Sequence, residues 1–121
     1  MAGLLVVDDI PVIRSTVARI VTNQKPSLQP VIQASTGEEA VNLARLYRPD
    51  IILMDIKMPK LDGLQAVSII RNEHPAAKII MLTAYDEVNK AKEAVQRGAS
   101  AYFVKGREQG LVELIDEILA S

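Results

Sequence analysis

Residues 51–55 read Ile-Ile-Leu-Met-Asp, an unbroken apolar run that stops at a carboxylate. Residues 3–8 (Gly-Leu-Leu-Val-Val-Asp) and 79–83 (Ile-Ile-Met-Leu-Thr) have the same form. Short apolar runs that do not alternate with polar residues are typical of strands buried on both faces, as in parallel sheets covered by helices. Two weaker runs, at residues 30–32 and 101–104, predict further strands nearer the sheet edges.

Segments with helical spacing of apolar residues separate these runs. Pro11 suits a first helical turn, Ser35 and Glu38 have the spacing of a capping box, and Gly98 predicts a helix end. Five helices are indicated by apolar positions at Ile13, Val17, Ile20 and Val21; at Ala40, Val41, Ala44 and Tyr47; at Leu64, Val67 and Ile70; at Val88, Ala91 and Val95; and at Leu111, Leu114, Ile115 and Ile118. Five strand–helix repeats predict an α/β fold with a parallel sheet covered on both faces.

The composition excludes several classes of protein. A chain of 121 residues is the length of one domain, which we place at residues 1–121. Fourteen basic against fifteen acidic side chains give a net charge of −1, without the basic surface of a nucleic-acid-binding domain. The absence of Cys and the single His74 exclude disulfides, thiolate metal sites and two-imidazole sites. The apolar runs are too short to cross a membrane and no signal peptide is visible, so we expect a cytoplasmic domain that contacts neither membrane nor nucleic acid directly.

Polar residues follow the predicted strands where each ends: Asp8 and Asp9, Asp55, Thr83 and Lys105. The carboxyl ends of parallel strands meet at one edge of a sheet, where α/β proteins place their chemistry. Each residue alone also has a structural explanation, since Asp and Thr cap helices and a lone Lys is usually solvated. Three carboxylates at one edge, however, repel one another unless cations compensate. Oxygen ligands without His or Cys favour Mg²⁺ as that cation.

The chain resembles the receiver domain of two-component response regulators along its whole length. The resemblance is carried by residues 5–9, residues 50–55, Met58-Pro59, Asp62-Gly63, Leu82-Thr83-Ala84, Gly98-Ala99 and Lys105. It implies a flavodoxin-like receiver fold, a doubly wound five-stranded parallel sheet of order 2-1-3-4-5 with five helices. By the same resemblance Asp55 is the phosphoacceptor, and Mg²⁺ is held by Asp8, Asp9, Asp55 and the backbone carbonyl of Lys57.

The resemblance extends to three residues that respond to the phosphoryl group. Thr83 matches the hydroxyl that binds a phosphoryl oxygen, Lys105 the lysine that pairs with the phosphoryl group, and Tyr102 the aromatic switch residue that moves inward with Thr83. The family usually places Pro after this lysine, often after a cis peptide bond, whereas Gly106 follows here. Because a cis bond is costly without Pro, we expect a trans bond and a looser loop.

The function implied is a signalling switch, not an enzyme with a separate substrate. A sensor histidine kinase or histidine phosphotransfer domain would phosphorylate it, and it would catalyse only its own phosphorylation and dephosphorylation. We expect the kinase to dock on the outward positions Val12, Thr16 and Arg19 of the first helix. Lys57 and Tyr85, two residues past Asp55 and Thr83, should flank the path of the hydrolytic water; neither suits the orientation of that water, which predicts slow dephosphorylation and a transcriptional output.

The output surface implied by the resemblance comprises the fourth helix, fifth strand and fifth helix. The last helix has a wide apolar stripe, which fits either deep packing on the sheet or a phosphorylation-dependent homodimer. A stand-alone receiver that acts by docking is an alternative to transcriptional control. A flavodoxin-like cofactor module would need a phosphate-binding loop rich in Gly, Ser or Thr after the first strand, whereas residues 8–11 read Asp-Asp-Ile-Pro and would repel a phosphate. A metal-dependent aspartyl phosphohydrolase would need a second Asp at position 10, where Ile10 stands.

Overall fold

The computed structural model describes residues 3–58, 63–106 and 108–121, with the side chains of residues 108 and 109 excepted. Its strands are β1 (Leu4–Val7), β2 (Val31–Ala34), β3 (Ile51–Asp55), β4 (Ile79–Thr83) and β5 (Ala101–Val104). Its α-helices are α1 (Pro11–Gln24), α2 (Gly37–Tyr47), α3 (Gly63–Glu73), α4 (Val88–Gln96) and α5 (Glu108–Ala120). Pro59 and Asp62, which carry part of the family resemblance, lie outside the described residues.

The five strands form one parallel sheet of order β2-β1-β3-β4-β5, which confirms the predicted doubly wound topology. Residues at the carboxyl ends are paired as Val7 with Met54, Asp55 with Leu82, and Thr83 with Val104. The strand ends are therefore nearly level across the three central strands. This register places the polar residues that follow each strand along one edge.

The alternation of side chains along each strand divides the core into two layers. One layer joins Leu5, Val7, Ile52, Met54 and Met81 to α2, α3 and α4. The other layer joins the intervening strand residues to α1 and α5; it contains Leu4, Val6, Ile51, Leu53, Ile80 and Leu82. The unbroken apolar runs arise from this arrangement, since both faces of the central strands are covered.

The start of α2 differs by one residue from the prediction. Thr36, not Ser35, is the N-cap, and its hydroxyl accepts a hydrogen bond from the amide of Glu39 at 3.0 Å. The carboxylate of Glu39, not Glu38, accepts from the amide of Ser35 at 2.9 Å. Ser and Thr are both good caps, so composition alone could not choose between them. Gly98 ends the fourth helix as predicted, with a φ of +128° and Arg71 packed against it.

The wide apolar stripe of α5 is largely explained by packing on the sheet. Leu111, Val112 and Ile115 are buried, and Leu114, Ile118 and Leu119 are half-buried. The stripe also packs beside α1. Lys25, which directly follows α1, forms an ion pair with Asp116 of α5 at 2.5 Å. Within the described residues, none of the helices has the length and apolar character needed to cross a membrane.

Candidate functional site

The sheet register brings the predicted site residues to one edge. Asp8 follows β1, Asp55 ends β3, Thr83 ends β4 and Lys105 follows β5. The residues Asp8, Asp55 and Thr83 are buried, at 1%, 5% and 0% exposure. Buried carboxylates are unfavourable unless they are paired or hydrogen-bonded, so their contacts decide what this edge can do.

Lys105 is the cation that compensates the two buried carboxylates. Its Nζ lies 3.2 Å from Asp8 Oδ2 and 3.2 Å from Asp55 Oδ1. Burial raises the pKa of Asp55. The ammonium of Lys105 acts to lower this pKa, whereas the negative charge of Asp8 raises it further. Burial acts to lower the pKa of Lys105, but the two carboxylates outweigh it and hold this pKa above its ordinary value. Lys105 therefore stays charged between two anions.

Two further hydrogen bonds, one from a backbone amide and one from a side chain, fix Asp8 in place. Its Oδ1 accepts a hydrogen bond from the amide of Ile10 at 2.9 Å, and its backbone carbonyl accepts one from Arg14 Nη1 at 2.9 Å. The first residue outside α1 is Ile10, which makes no side-chain capping bond. Neither Asp8 nor the exposed Asp9 is thus the N-cap of α1. The capping explanation for this acidic pair does not apply.

The carboxylates of Asp8, Asp9 and Asp55 offer oxygen atoms that all lie within 4.8 Å of one another. This set carries three negative charges against the single ammonium of Lys105. Hard oxygen donors with excess negative charge suit a hard divalent cation such as Mg²⁺. Asp55 Oδ1 also accepts a long hydrogen bond of 3.4 Å from the amide of Lys57. Among the described residues, the hydrogen bond from Lys57 and the ion pair with Lys105 both involve Asp55 Oδ1, and none is found to Oδ2.

A cavity of about 290 Å³ opens beside Asp55. Asp9, Ile10, Ala84 and Lys105 line it, together with Lys57 and the acidic pair Asp86 and Glu87. The predicted lifetime residue Lys57 therefore faces the cavity. Tyr85 is 87% exposed and lines a separate surface depression with Asp86, Val88 and Asn89.

Sequence reasoning missed Glu87. Its Oε1 lies 3.8 Å from Lys57 Nζ and its Oε2 lies 3.8 Å from Lys90 Nζ. In sequence it stands among the polar residues expected at a helix start. Only the approach of the loop after β3 to α4 makes it part of this site.

The two proposed switch residues lie on adjacent strands. The hydroxyl of Thr83 donates a hydrogen bond to the carbonyl of Ala84 at 2.9 Å. Tyr102 is half-buried on β5, opposite Met81, and packs against the layer of the core formed with α2, α3 and α4. The hydroxyl of Thr83 is therefore engaged locally and would have to rotate to reach an oxygen on Asp55.

The glycine after Lys105 does not displace the lysine. Gly106 has a φ of +104°, and its bond to Lys105 is trans, since the cis bond found in the described residues is Gln29–Pro30. The backbone amide of Lys105 donates to the carbonyl of Thr83 at 2.8 Å, continuing the β4–β5 ladder by one residue. This bond and the two carboxylates hold Lys105 without a proline.

Comparison with known proteins shows the family of the chain. The family model described as "Response regulator receiver domain" matches residues 4–116. The response regulator GacA of Pseudomonas viridiflava is 37% identical over 118 residues, which are 98% of this chain and 54% of that protein. The transcriptional regulatory protein DegU of Brevibacillus brevis is 33% identical over 113 residues, 93% of this chain and 48% of DegU. The chain thus spans about half the length of these two relatives.

A solved structure gives the same result for the fold. The crystal structure of a LuxR-family two-component response regulator from Aurantimonas sp. SI85-9A1 superposes with a TM-score of 0.89. Its sequence is 33% identical, and the alignment covers 99% of this chain and 86% of that one.

Proposed function

Because this chain belongs to the response regulator receiver domain family of two-component signalling, we propose that Asp55 is its phosphoacceptor. Receiver domains of response regulators are phosphorylated by histidine kinases. The observation that carries the proposal is the position of Lys105, which contacts Asp55 Oδ1 and Asp8 Oδ2 at 3.2 Å each. Asp55 lines the cavity, and the described residues provide no contact to its second oxygen, Oδ2.

The chemistry is nucleophilic transfer to a carboxylate. The new bond forms between Asp55 Oδ2 and phosphorus while the P–N bond to the kinase histidine breaks, and the bonding electrons stay on the imidazole nitrogen. The product is an acyl phosphate, one of the covalent intermediates that Asp side chains form. Phosphoryl transfer leaves a protein mainly the tasks of positioning and charge compensation. Lys105 performs both on Asp55 before the donor arrives.

The carboxylates of Asp8 and Asp9 would hold Mg²⁺, together with Asp55 and the carbonyl of Lys57. The donor set supports this assignment, since three carboxylates have oxygens within 4.8 Å of one another and, among the described residues, Lys105 is the ammonium found in ion pairs with them. When bound, Mg²⁺ reduces the repulsion between the carboxylates and the anionic phosphoryl donor. Asp8 is fixed by Ile10 and Lys105, whereas the exposed Asp9 is free to adjust to the ion.

Thr83 and Tyr102 would report the phosphorylated state. The added group carries roughly two negative charges and three strong acceptor oxygens. The Thr83 hydroxyl would exchange its bond to Ala84 for a bond to one of these oxygens. Tyr102 lies on β5, next to the strand that ends at Thr83, and is close to Lys92 and Val95 of α4, so this rotation would change the surface formed by α4, β5 and α5.

The surface around Val12 is our candidate for kinase docking. Val12 is 71% exposed, and Ile10, which lines the cavity, is 44% exposed. Arg19 is exposed further along α1, and the hydroxyl of Thr16 is bonded to the carbonyl of Val12 at 2.7 Å. An apolar patch beside the phosphoacceptor suits a partner that must bring a histidine to it.

Labelling with a small phosphodonor tests the proposal. Acetyl phosphate with Mg²⁺ should label the wild-type chain, and the label should be lost in EDTA and on treatment with hydroxylamine, which cleaves acyl phosphates. Asp55→Asn should abolish labelling, whereas the control Asp50→Asn, at an exposed carboxylate just before the same strand, should retain it. Undiminished labelling of Asp55→Asn would exclude Asp55 as the acceptor.

For the output we propose control of transcription through a further part of the protein. The similarity to DegU, whose name describes a transcriptional regulator, supports this output. A phosphorylation-dependent homodimer through α4, β5 and α5 is the simplest way to transmit the signal. Sedimentation with and without a phosphoryl mimic tests the dimer: a monomer in both states at high concentration would argue for docking to another protein instead.

A further inference from the structure

The cavity beside Asp55 contains an ion pair that none of the family-matched roles uses. Lys57 lies on the loop after β3, and its Nζ is 3.8 Å from Oε1 of Glu87, at the start of α4. Both residues line the cavity. Since Lys57 is largely exposed to solvent, the pair lies at the solvent-facing edge of this cavity, which we call the cavity mouth.

The two partners differ in their freedom to move. The Lys57 side chain is 77% exposed, whereas that of Glu87 is 20% exposed. Glu87 is further held by Lys90, 3.8 Å from its second oxygen, and by a backbone bond from its amide to the carbonyl of Ala84 at 3.0 Å. Glu87 is thus the anchored partner, and the ammonium of Lys57 is the one that can swing.

Phosphorylation of Asp55 would create a second anion for this ammonium. The backbone amide of Lys57 is already 3.4 Å from Asp55 Oδ1, so its long side chain starts beside the acceptor. A phosphoryl group brings roughly two negative charges against the single charge of Glu87. The ammonium of Lys57 would then divide between the two anions.

We propose that Glu87 is a positioning residue that retains Lys57 at the cavity mouth and so limits its shielding of the phosphoryl group; this rests on the proposed phosphorylation of Asp55. In hydrolysis, a water oxygen bonds to phosphorus, the bond to Asp55 breaks, and the products are the carboxylate, inorganic phosphate and a proton released to solvent. Lys57 paired with the phosphoryl oxygens obstructs this approach. By competing for Lys57, Glu87 shortens the lifetime of the phosphorylated state.

The test is the decay of the phosphorylated protein after removal of acetyl phosphate. Glu87→Gln should slow the decay about two- to fivefold, the range expected for one exposed ion pair. The difference should shrink at high salt, because exposed charges are screened. The matched control is Asp86→Asn, which removes a neighbouring carboxylate of the cavity wall. The described residues provide no ion-pair partner for Asp86, so this variant should decay like the wild type.

A lysine-free background separates this mechanism from a simple effect of charge. Lys57→Met and the double variant Lys57→Met, Glu87→Gln should decay at the same rate. Equal decay of Glu87→Gln and the wild type would overturn the inference, as would a Glu87→Gln effect that persists without Lys57. A wild-type chain that takes no label would instead refute the phosphorylation of Asp55 itself, so the two failures are distinguishable.

Discussion

Replacement of Lys105 by Met should destabilise the protein at neutral pH by leaving two buried carboxylates without their cation. Each contact of 3.2 Å corresponds to about 5 kcal/mol of Coulomb attraction at an effective dielectric constant of ~20. Desolvation offsets much of this attraction, and breaking one side of a buried pair typically costs about 3–5 kcal/mol. The Lys105 side chain is 26% exposed, so water would partly replace it. We therefore expect a loss of about 2 kcal/mol, or roughly 7 °C in Tm.

The pH dependence of this loss follows from Asp55. Burial already raises the pKa of Asp55 above its ordinary 3.8, and Lys105 is the group that opposes the rise. Without Lys105 the folded state binds a proton at a higher pH than the unfolded chain does. The loss of stability is then complete above this raised pKa and fades as the pH falls through it towards 3.8. Lys105→Met should thus differ less from the wild type at pH 5 than at pH 7.5.

Chemical denaturation in EDTA at both pH values measures the effect, and a repeat with Mg²⁺ should restore part of the stability because the ion binds only the folded state. Lys57→Met is the matched control: its side chain is 77% exposed, and a surface substitution of this kind should change the unfolding free energy by less than about 0.5 kcal/mol. A Lys105→Met protein as stable as the wild type, or a deficit that is the same at both pH values, would refute the reasoning.

Three further predictions concern binding and rates. Asp9→Ala should lose Mg²⁺ binding in calorimetric titration while keeping or slightly increasing stability, because Asp9 is exposed and adds only repulsion when no ion is bound; a variant that still binds Mg²⁺ normally would remove Asp9 from the ligand set. Lys57→Asn with Tyr85→Glu should hasten the decay of the phosphorylated protein several-fold, and unchanged decay would show that these positions do not set the lifetime. Val12→Glu should slow phosphotransfer from the cognate kinase but not from acetyl phosphate; equal slowing with both donors would indicate damage to the site rather than to docking.

Much of the fold was predictable because burial on both faces leaves a strong local pattern. Residues 51–55 and 79–83 are uninterrupted apolar runs since β3 and β4 lie in the middle of the sheet between two helical layers. The edge strand β2 carries a weaker pattern: the sequence predicts it at residues 30–32, whereas the structure has it at Val31–Ala34. The N-cap of α2 is one residue later than predicted. Ser35 and Thr36 have nearly equal capping propensity, and the turn geometry selects Thr36.

The sequence by itself determined which polar residues meet, since parallel strands bring the residues that follow them to one edge whatever the detailed packing. The sequence alone therefore groups Asp8, Asp55, Thr83 and Lys105 at one edge of the sheet. Only the tertiary structure decided how they pair: Lys105 bridges two carboxylates, Thr83 donates to Ala84, and Asp55 Oδ2 has no partner among the described residues. The link between Lys57 and Glu87 likewise joins residues thirty positions apart in sequence, so no local pattern could show it. Side-chain contacts of this kind depend on distances between elements, which sequence periodicity does not encode.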